Sequence, residues 1–253
     1  MNVRIETKGN ALTVITVDEP DRRNPLGHDV RGRIIDALSH AEGDDAVRGV
    51  VLTGAGGHFS VGGDIRDQGD RSIAEHRERF ARVREMVMRM VRFSKPLVAA
   101  VEGWAAGGGF AVAMACPTVV AGRDARFIAS FTKIGLIPDM GLLATLPARI
   151  GPARARSLIL SNATVAAEEA ERLGMVDSLS DPGDALERAL ELADAQADTA
   201  PLPRQLVLDW FARDVDAALD FERQIQPYLL NSADAAEGRS SFFEKRAPAF
   251  EGR

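Results

Sequence analysis

Cysteine occurs once in the 253 residues, at Cys116. A single thiol cannot close an internal disulfide, which excludes a secreted disulfide scaffold and fits a reducing compartment. Cys116 lies in an apolar segment, so it reads as a packing residue and not as a nucleophile. The histidines His28, His40, His58 and His76 have no metal-ligand spacing, and no metal is expected. No apolar run is long enough and free enough of charge to span a membrane. The opening MNVRIETKGN lacks the continuous apolar stretch of a signal peptide. There is no basic stripe, and the net charge is −6, which argues against a nucleic-acid partner. A cytoplasmic protein without membrane segments is expected.

What is present is a globular composition, 45% hydrophobic and 27% charged. VRIET and LTVITVD flank KGN and read as an opening β-hairpin. DEPDRRNPLG is a polar loop. From Asp29 to Ala41 the apolar residues Val30, Ile34, Ile35, Leu38 and Ala41 recur at helical spacing. RGVVLTG and KPLVAAVEG are buried-strand candidates, separated by a long amphipathic helix from about Ile73 to Phe93. TVVAG and ARFIAS read as strands around the turn RDA. Pro138 and Gly141 punctuate a loop before another helix, and Gly174 suits the cap of a helix starting near Ala166. MVDSL reads as a last short strand. PLPR, from Pro201, is the linker candidate, and helix dominates after about Ala185. Strands alternating with helices argue for an α/β core followed by a helical tail.

Two segments share one order of strand, glycine-rich loop and helix: VVLTGAGGHFSVGGDI and LVAAVEGWAAGGGFAV. Ordered glycine is entropically costly and needs a reason. A phosphate loop would need Lys and Ser or Thr after the last glycine, but Phe110 and Ala111 follow Gly109. A dinucleotide fingerprint would need a sixth-position glycine, where Val112 or Phe59 stands. Two explanations remain. The glycines permit close helix–strand packing, or two sets of peptide N–H groups at helix N-termini converge on one oxygen.

HFSVGGDI and VEGWAAGGGFAVAMA resemble the two signature segments of the crotonase, or enoyl-CoA hydratase/isomerase, family. FTKIGLIPDMG and EGRSSFFEKRAPAF fit the same family, so the resemblance spans nearly the whole chain. It implies an α/β fold, a crotonase-like spiral of repeated β-β-α units over residues 1–196, with a C-terminal helical region at 197–253 used for assembly into a trimer or a dimer of trimers. It implies an acyl-CoA thioester as substrate, with CoA part of the substrate and no separate cofactor. Matched onto this chain, the N–H groups of Gly63 and Gly108 form an oxyanion hole for the thioester oxygen. Such donors stabilise the enolate more than the ground state, and losing one typically costs about 2.7–4 kcal/mol.

The two glutamates of hydratases in this family fall at Ala111 and Phe131, neither ionisable. Asp139 in GLIPDMG resembles the aspartate that isomerase-like members use as a base, with an N-cap as its competing role. Ile137, Met140 and Leu142 flank it, so a partly dry pocket and a raised pKa are expected. The substrate is expected to touch Ser60, Val61, Gly62, Asp64 and Ile65 on the first loop, Trp104 and Gly107 on the second, and Phe131 and Pro138 beyond them. The helix from about Ile73 is expected to wall the acyl pocket. Arg22 and Arg23, with Lys245 and Arg246 near the C-terminus, are the candidates for the CoA phosphates.

Other acids have structural readings. Asp64 opens a helix and holds its loop, and Glu102 stands at a strand end, either facing the pocket or in solvent. Asp67 and Asp70 lie in a charged stretch read as a solvated face. His58 borders the first glycine loop. The preferred function is an isomerase shifting a 3-enoyl-CoA double bond to the 2-position. An atypical hydratase, a thioester hydrolase and a catalytically silent acyl-CoA-binding protein stand as alternatives.

Overall fold

The structure is a computed structural model that describes residues 2–68 and 71–253; Asp70, assigned above to a solvated face, lies outside them. The chain runs β1 (Val3–Lys8), β2 (Leu12–Val17), α1 (His28–Gly43), β3 (Gly49–Gly54), α2 (Ile73–Val91), β4 (Leu97–Val101), β5 (Trp104–Ala106) and α3 (Gly108–Ala115). It continues through β6 (Thr118–Gly122), β7 (Arg126–Ile128), α4 (Leu142–Ile150), α5 (Pro152–Ser161), β8 (Val165–Ala166), α6 (Ala167–Leu173), β9 (Ser178–Ser180), α7 (Ala185–Gln196), α8 (Pro201–Leu230) and α9 (Ala233–Glu244).

The larger sheet has the order β1-β2-β3-β4-β6-β9. β1 is antiparallel to β2, and every other neighbour pair in it is parallel. Every residue of β2, β4 and β6 is buried, because a parallel sheet is covered on both faces and its strands read as continuous apolar runs. Side chains alternate between the faces. Leu12, Val14, Val51, Val98, Ala100 and Val120 meet Ala185, Ala189 and Ala193 of α7, while Ile15, Val50, Leu52, Ala99 and Val119 join the main core. Alanines four residues apart let α7 lie close on the sheet.

The smaller sheet, β5-β7-β8, holds the site. The strands foreseen around the turn RDA, β6 and β7, fall in different sheets. Residues 60–62 join the small layer through bridges of Ser60 to Ala105 and of Pro25 to Gly62. The Ser60 N–H donates to Trp104 O at 3.0 Å, and the Ala106 N–H to Ser60 O at 2.9 Å. Both glycine loops are therefore pinned side by side. All eight residues of α3 are buried, so this helix is apolar all round, as a central core helix is.

The linker expected at PLPR is instead the start of the 30-residue α8. Pro201 and Pro203 sit in its first turn, where no intrahelical N–H partner exists to lose. Gly174 caps α6 in the left-handed conformation, φ +86°.

The glycines do serve close packing. A Cβ on Gly62 would stand 2.5 Å from Gly108 N, and one on Gly109 2.3 Å from Ser60 O, both backbone atoms that cannot yield. Replacing Gly109 by Ala should therefore destabilise the fold by about 1–3 kcal/mol, the usual overpacking range, or more. Urea unfolding of the variant beside the parent measures this.

Candidate active site

Two neighbouring spaces meet at the glycine loops. A cavity of about 70 Å³ is lined by Gly63, Gly107, Gly108, Phe131, Asp139 and Met140, among others, with Arg79, Phe80 and Val83 contributed by α2 and Arg31 by α1. An open groove of about 500 Å³ is lined by Arg22, Arg23, Asp64, Arg66, Trp104, Phe242 and Phe243. Val61, Gly63, Ile65 and Ser130 belong to both.

Local hydrogen bonds explain how Gly63 and Gly108 are placed. Ser60 Oγ donates to Asn24 O at 2.7 Å and accepts the Gly62 N–H at 3.0 Å. The Leu26 N–H donates to Gly62 O at 2.8 Å. Asn24, wholly buried, donates through Nδ2 to Ala55 O and His58 O. On the other loop, the Gly107 N–H donates to Ile128 O at 2.9 Å. Gly108 is then the first residue of α3, where helical N–H groups lack intrahelical partners. Among the described residues, the N–H groups of Gly63 and Gly108 have no protein acceptor. Two unengaged donors on one cavity wall are what a developing oxyanion requires.

Asp139 lies on the same cavity. It is not the N-cap of α4, a place held by Gly141; its carbonyl accepts the Leu142 N–H at 3.2 Å. Its Oδ1 is buried and has no hydrogen-bond partner among the described residues. Burial pushes the Asp139 carboxyl up to about 6, while the Arg79 and Arg31 guanidinium groups and Gln226 pull the other way. Met140, next in the chain, lays its side chain on the hole: a Cβ on Gly108 would stand 3.0 Å from Met140 Sδ. Met140 pays for this with φ +55°, a conformation that costs a non-glycine residue about 1–3 kcal/mol.

The remaining residues named from the sequence divide clearly. Val61, Ile65, Gly107 and Phe131 line the cavity, and Arg22, Arg23, Asp64 and Trp104 line the groove. Gly62 braces Gly108, and Pro138 is buried behind the cavity wall without lining it. Asp64 holds its loop as expected: it pairs with Arg22 and accepts the Arg66 N–H at 3.0 Å. Lys245 ends α9 outside the groove lining, and Arg246 is engaged by Glu237 and Glu244. Glu102 does not face the cavity. Its Oε1 accepts the N–H groups of Gly183 and Ala185 at 3.1 and 2.9 Å, tying β4 to the start of α7. His58 Nδ1 accepts the Trp104 N–H at 3.2 Å, so this half-buried ring braces the two loops. Burial pushes the Cys116 thiol up to about 12, which leaves it unreactive at neutral pH.

Sequence reasoning missed Arg31, Arg79, Asn24 and Glu222. Arg31 is 1% exposed and donates to Leu26 O at 2.7 Å. Glu222, equally buried, accepts the Gly141 N–H with both oxygens, at 3.1 and 3.2 Å. Its signal was readable: Val215, Leu219, Glu222, Gln226 and Leu230 make the inward stripe of α8, and an acid in such a stripe is an exception.

A coiled α/β fold whose glycine loops bring two unengaged peptide donors and a buried carboxyl to one cavity has the layout with which an enzyme can stabilise an oxyanion. The family model for enoyl-CoA hydratase/isomerase matches residues 7–253, and the chain belongs to that family. A 1,2-epoxyphenylacetyl-CoA isomerase of Escherichia coli (strain K12) is 34% identical, over 96% of this chain and 95% of that protein. A 2,3-dehydroadipyl-CoA hydratase of the same organism is 30% identical over the full length of both. The crystal structure of an enoyl-CoA hydratase from Mycobacterium avium subsp. paratuberculosis K-10 superposes with a TM-score of 0.89 at 29% identity, covering 99% of each chain. The fold is thus the crotonase fold, and the family acts on acyl-CoA thioesters. Among the described residues, no helix is long and apolar enough to cross a membrane.

The raised Asp139 value has a stability consequence of definite sign. The folded chain binds this proton more tightly than the unfolded chain, whose carboxyl titrates near about 3.9. The stabilising contribution is therefore full at low pH and is lost as pH rises to about 6. Asp139→Asn should unfold at higher temperature than the parent at neutral pH, and the gap should close toward pH 4 (about the unfolded carboxyl value); calorimetry across that range checks it.

Proposed function

We propose that this enzyme is an isomerase that moves the double bond of a 3-enoyl-CoA to the 2-position, with Asp139 as its only acid–base group. The observation that carries this reading is the placement of one buried carboxylate on the cavity lined by Gly63 and Gly108, whose N–H groups are unengaged among the described residues. Ala111 and Phe131, where the resemblance puts the glutamates of hydratases, are both apolar and buried. Water would lack its usual pair of carboxylates there. The relative named as an isomerase supports the same side.

The steps follow from the geometry. CoA lies in the groove, its phosphates near Arg22 and Arg23, and the acyl chain enters the cavity against Phe80 and Val83 of α2. The Asp139 carboxylate takes a proton from C2. The electron pair passes through C2 to the thioester oxygen, and the Gly63 and Gly108 N–H groups hold the resulting dienolate. The protonated Asp139 then returns the proton to C4, which leaves a C2–C3 double bond and restores the carboxylate. Each donor is worth about 2.7–4 kcal/mol in a hole of this type. A base with a pKa near 6 is matched to work at neutral pH.

The same reading places the enzyme in the cytoplasm as a trimer or a dimer of trimers. Leu202, Leu206, Trp210 and Phe211 of α8 are 70, 62, 62 and 72% exposed, an apolar surface suited to a second copy of the chain. Light scattering should show the parent as a trimer or hexamer and a Trp210→Glu, Phe211→Glu double variant at lower mass.

The activity is tested by supplying 3-enoyl-CoA and 2-enoyl-CoA separately. Conjugation of the first without hydration of the second is expected. Hydration would favour the atypical hydratase, free CoA the hydrolase, and tight binding without turnover the silent protein. Asp139→Asn should slow the isomerase by about 10²–10⁴-fold; unimpaired turnover would remove this residue from the mechanism.

A further inference from the structure

The inward stripe of α8 carries two polar side chains among its apolar ones, Glu222 at 1% and Gln226 at 0% exposure. Both engage the loop that bears Asp139. Gln226 Nε2 donates to Ile137 O at 2.9 Å, and its Oε1 accepts the Ile137 N–H at 3.3 Å. Glu222 accepts the N–H of Gly141 with both oxygens. The chain on either side of Asp139 is therefore clamped by one face of one helix. The N–H that Glu222 holds is that of Gly141 at φ +79°, the second of two consecutive left-handed residues after Met140 at φ +55°.

Among the described residues, Glu222 has no cationic partner. A buried charge without a counterion is costly, and a buried carboxyl escapes that cost by keeping its proton. The charge acting on it is that of the Asp139 carboxylate, two residues from the Gly141 whose N–H it holds, and two such groups in one dry site cannot both ionise cheaply.

We propose that Glu222 is a positioning residue that forms with Asp139 a buried carboxyl pair carrying a single negative charge, so that both the place and the charge state of the base are set from α8. This inference rests on the reading of Asp139 as the base. The resting proton belongs to Glu222, which burial, and then the Asp139 charge, push up to about 9, while Asp139 itself ionises at about 6. Between those values the pair holds one negative charge. When Asp139 takes the C2 proton, the pair becomes neutral, and the only new charge in the site is the dienolate at the two N–H donors. Above the second ionisation a carboxylate remains beside the dienolate throughout the reaction and opposes its formation.

The cations acting on the pair are Arg31 of α1 and Arg79 of α2, both through Asp139. Elsewhere on α2, Arg84 pairs with Asp216 and Asp220, Arg77 lies over the Tyr228 ring, and the buried His76 has its pKa lowered by burial. On α8 itself, Arg223 donates to Arg77 O. From α4, Arg149 pairs with Asp177; from α9, Arg239 donates to Leu230 O.

Glu222→Gln keeps an acceptor for the Gly141 N–H but cannot ionise. In the parent, kcat/KM should fall on both sides, near pH 6 and near pH 9. In Glu222→Gln the acid limb should stay and the alkaline limb should vanish; an alkaline limb equal to the parent's would overturn the proposal. An infrared titration of the protein alone decides the matter without turnover, even if that variant fails to fold. The parent should show a protonated-carboxyl stretch at neutral pH that disappears near pH 9, and in Asp139→Asn the band should disappear at lower pH, because the like charge is gone. Absence of the band in the parent, or a midpoint unmoved by Asp139→Asn, would sink the pair. Full activity of Asp139→Asn with the coupled infrared titration intact would instead overturn the base and leave the pair standing.

Discussion

The close approach of two backbone segments is the constraint on which the site depends. Gly62 packs against the backbone of Gly108, and Gly109 against that of Ser60, at separations that exclude any Cβ. That arrangement brings Gly63 and Gly108, whose N–H groups are unengaged among the described residues, onto one cavity. The small sheet exists to enforce it: residues 60–62 are bonded to β5 on one side and to residues 23–26 on the other. Asn24 and His58 add side-chain bonds between the same segments. The two explanations open for the glycines are thus one. Close packing is the means by which the peptide donors are brought together, at the usual entropic cost of ordered glycine.

Electrostatics then divides the labour within a nearly apolar pocket. In the proposed mechanism the thioester oxygen is served by dipoles fixed in the backbone, which need no reorganisation as charge develops. The proton would be served there by Asp139, a carboxyl whose affinity is raised by burial and restrained by two arginines. Neither guanidinium has to touch the reacting atoms to do this; in a dry site their field acts at longer range than it would in water. The C-terminal helices contribute as well, because α8 packs on α2 and α4 and sets Gln226 and Glu222 against the loop that bears Asp139.

Much of this was legible in the sequence, for reasons that can be named. The strands β2, β3, β4 and β6 read as largely apolar stretches with an occasional threonine because both sheet faces are covered. The two glycine loops and the segment around Asp139 carried the family resemblance, and the family match bears it out. What stayed hidden depends on contacts distant in sequence. Glu222 meets Gly141 across 81 positions, and no local pattern announces such a partner. Glu102 has a strand-end context that suits the pocket and solvent equally; only the fold turns it toward α7. PLPR has the composition of a linker, yet proline is as much at home in the first turn of a helix.

An oxyanion hole built from the main chain is almost immune to point mutation. Every amino acid except proline brings the same peptide N–H to position 63 or 108, and what a substitution can damage is the fit of the two loops, not the chemistry of the donors. The side chains around the hole have no such protection, and they decide which proton moves and whether water takes part. On the proposed reading, a lineage can exchange one reaction for another by changing a few codons, such as those for Ala111, Phe131 and Asp139, while the most demanding part of the machinery passes through untouched.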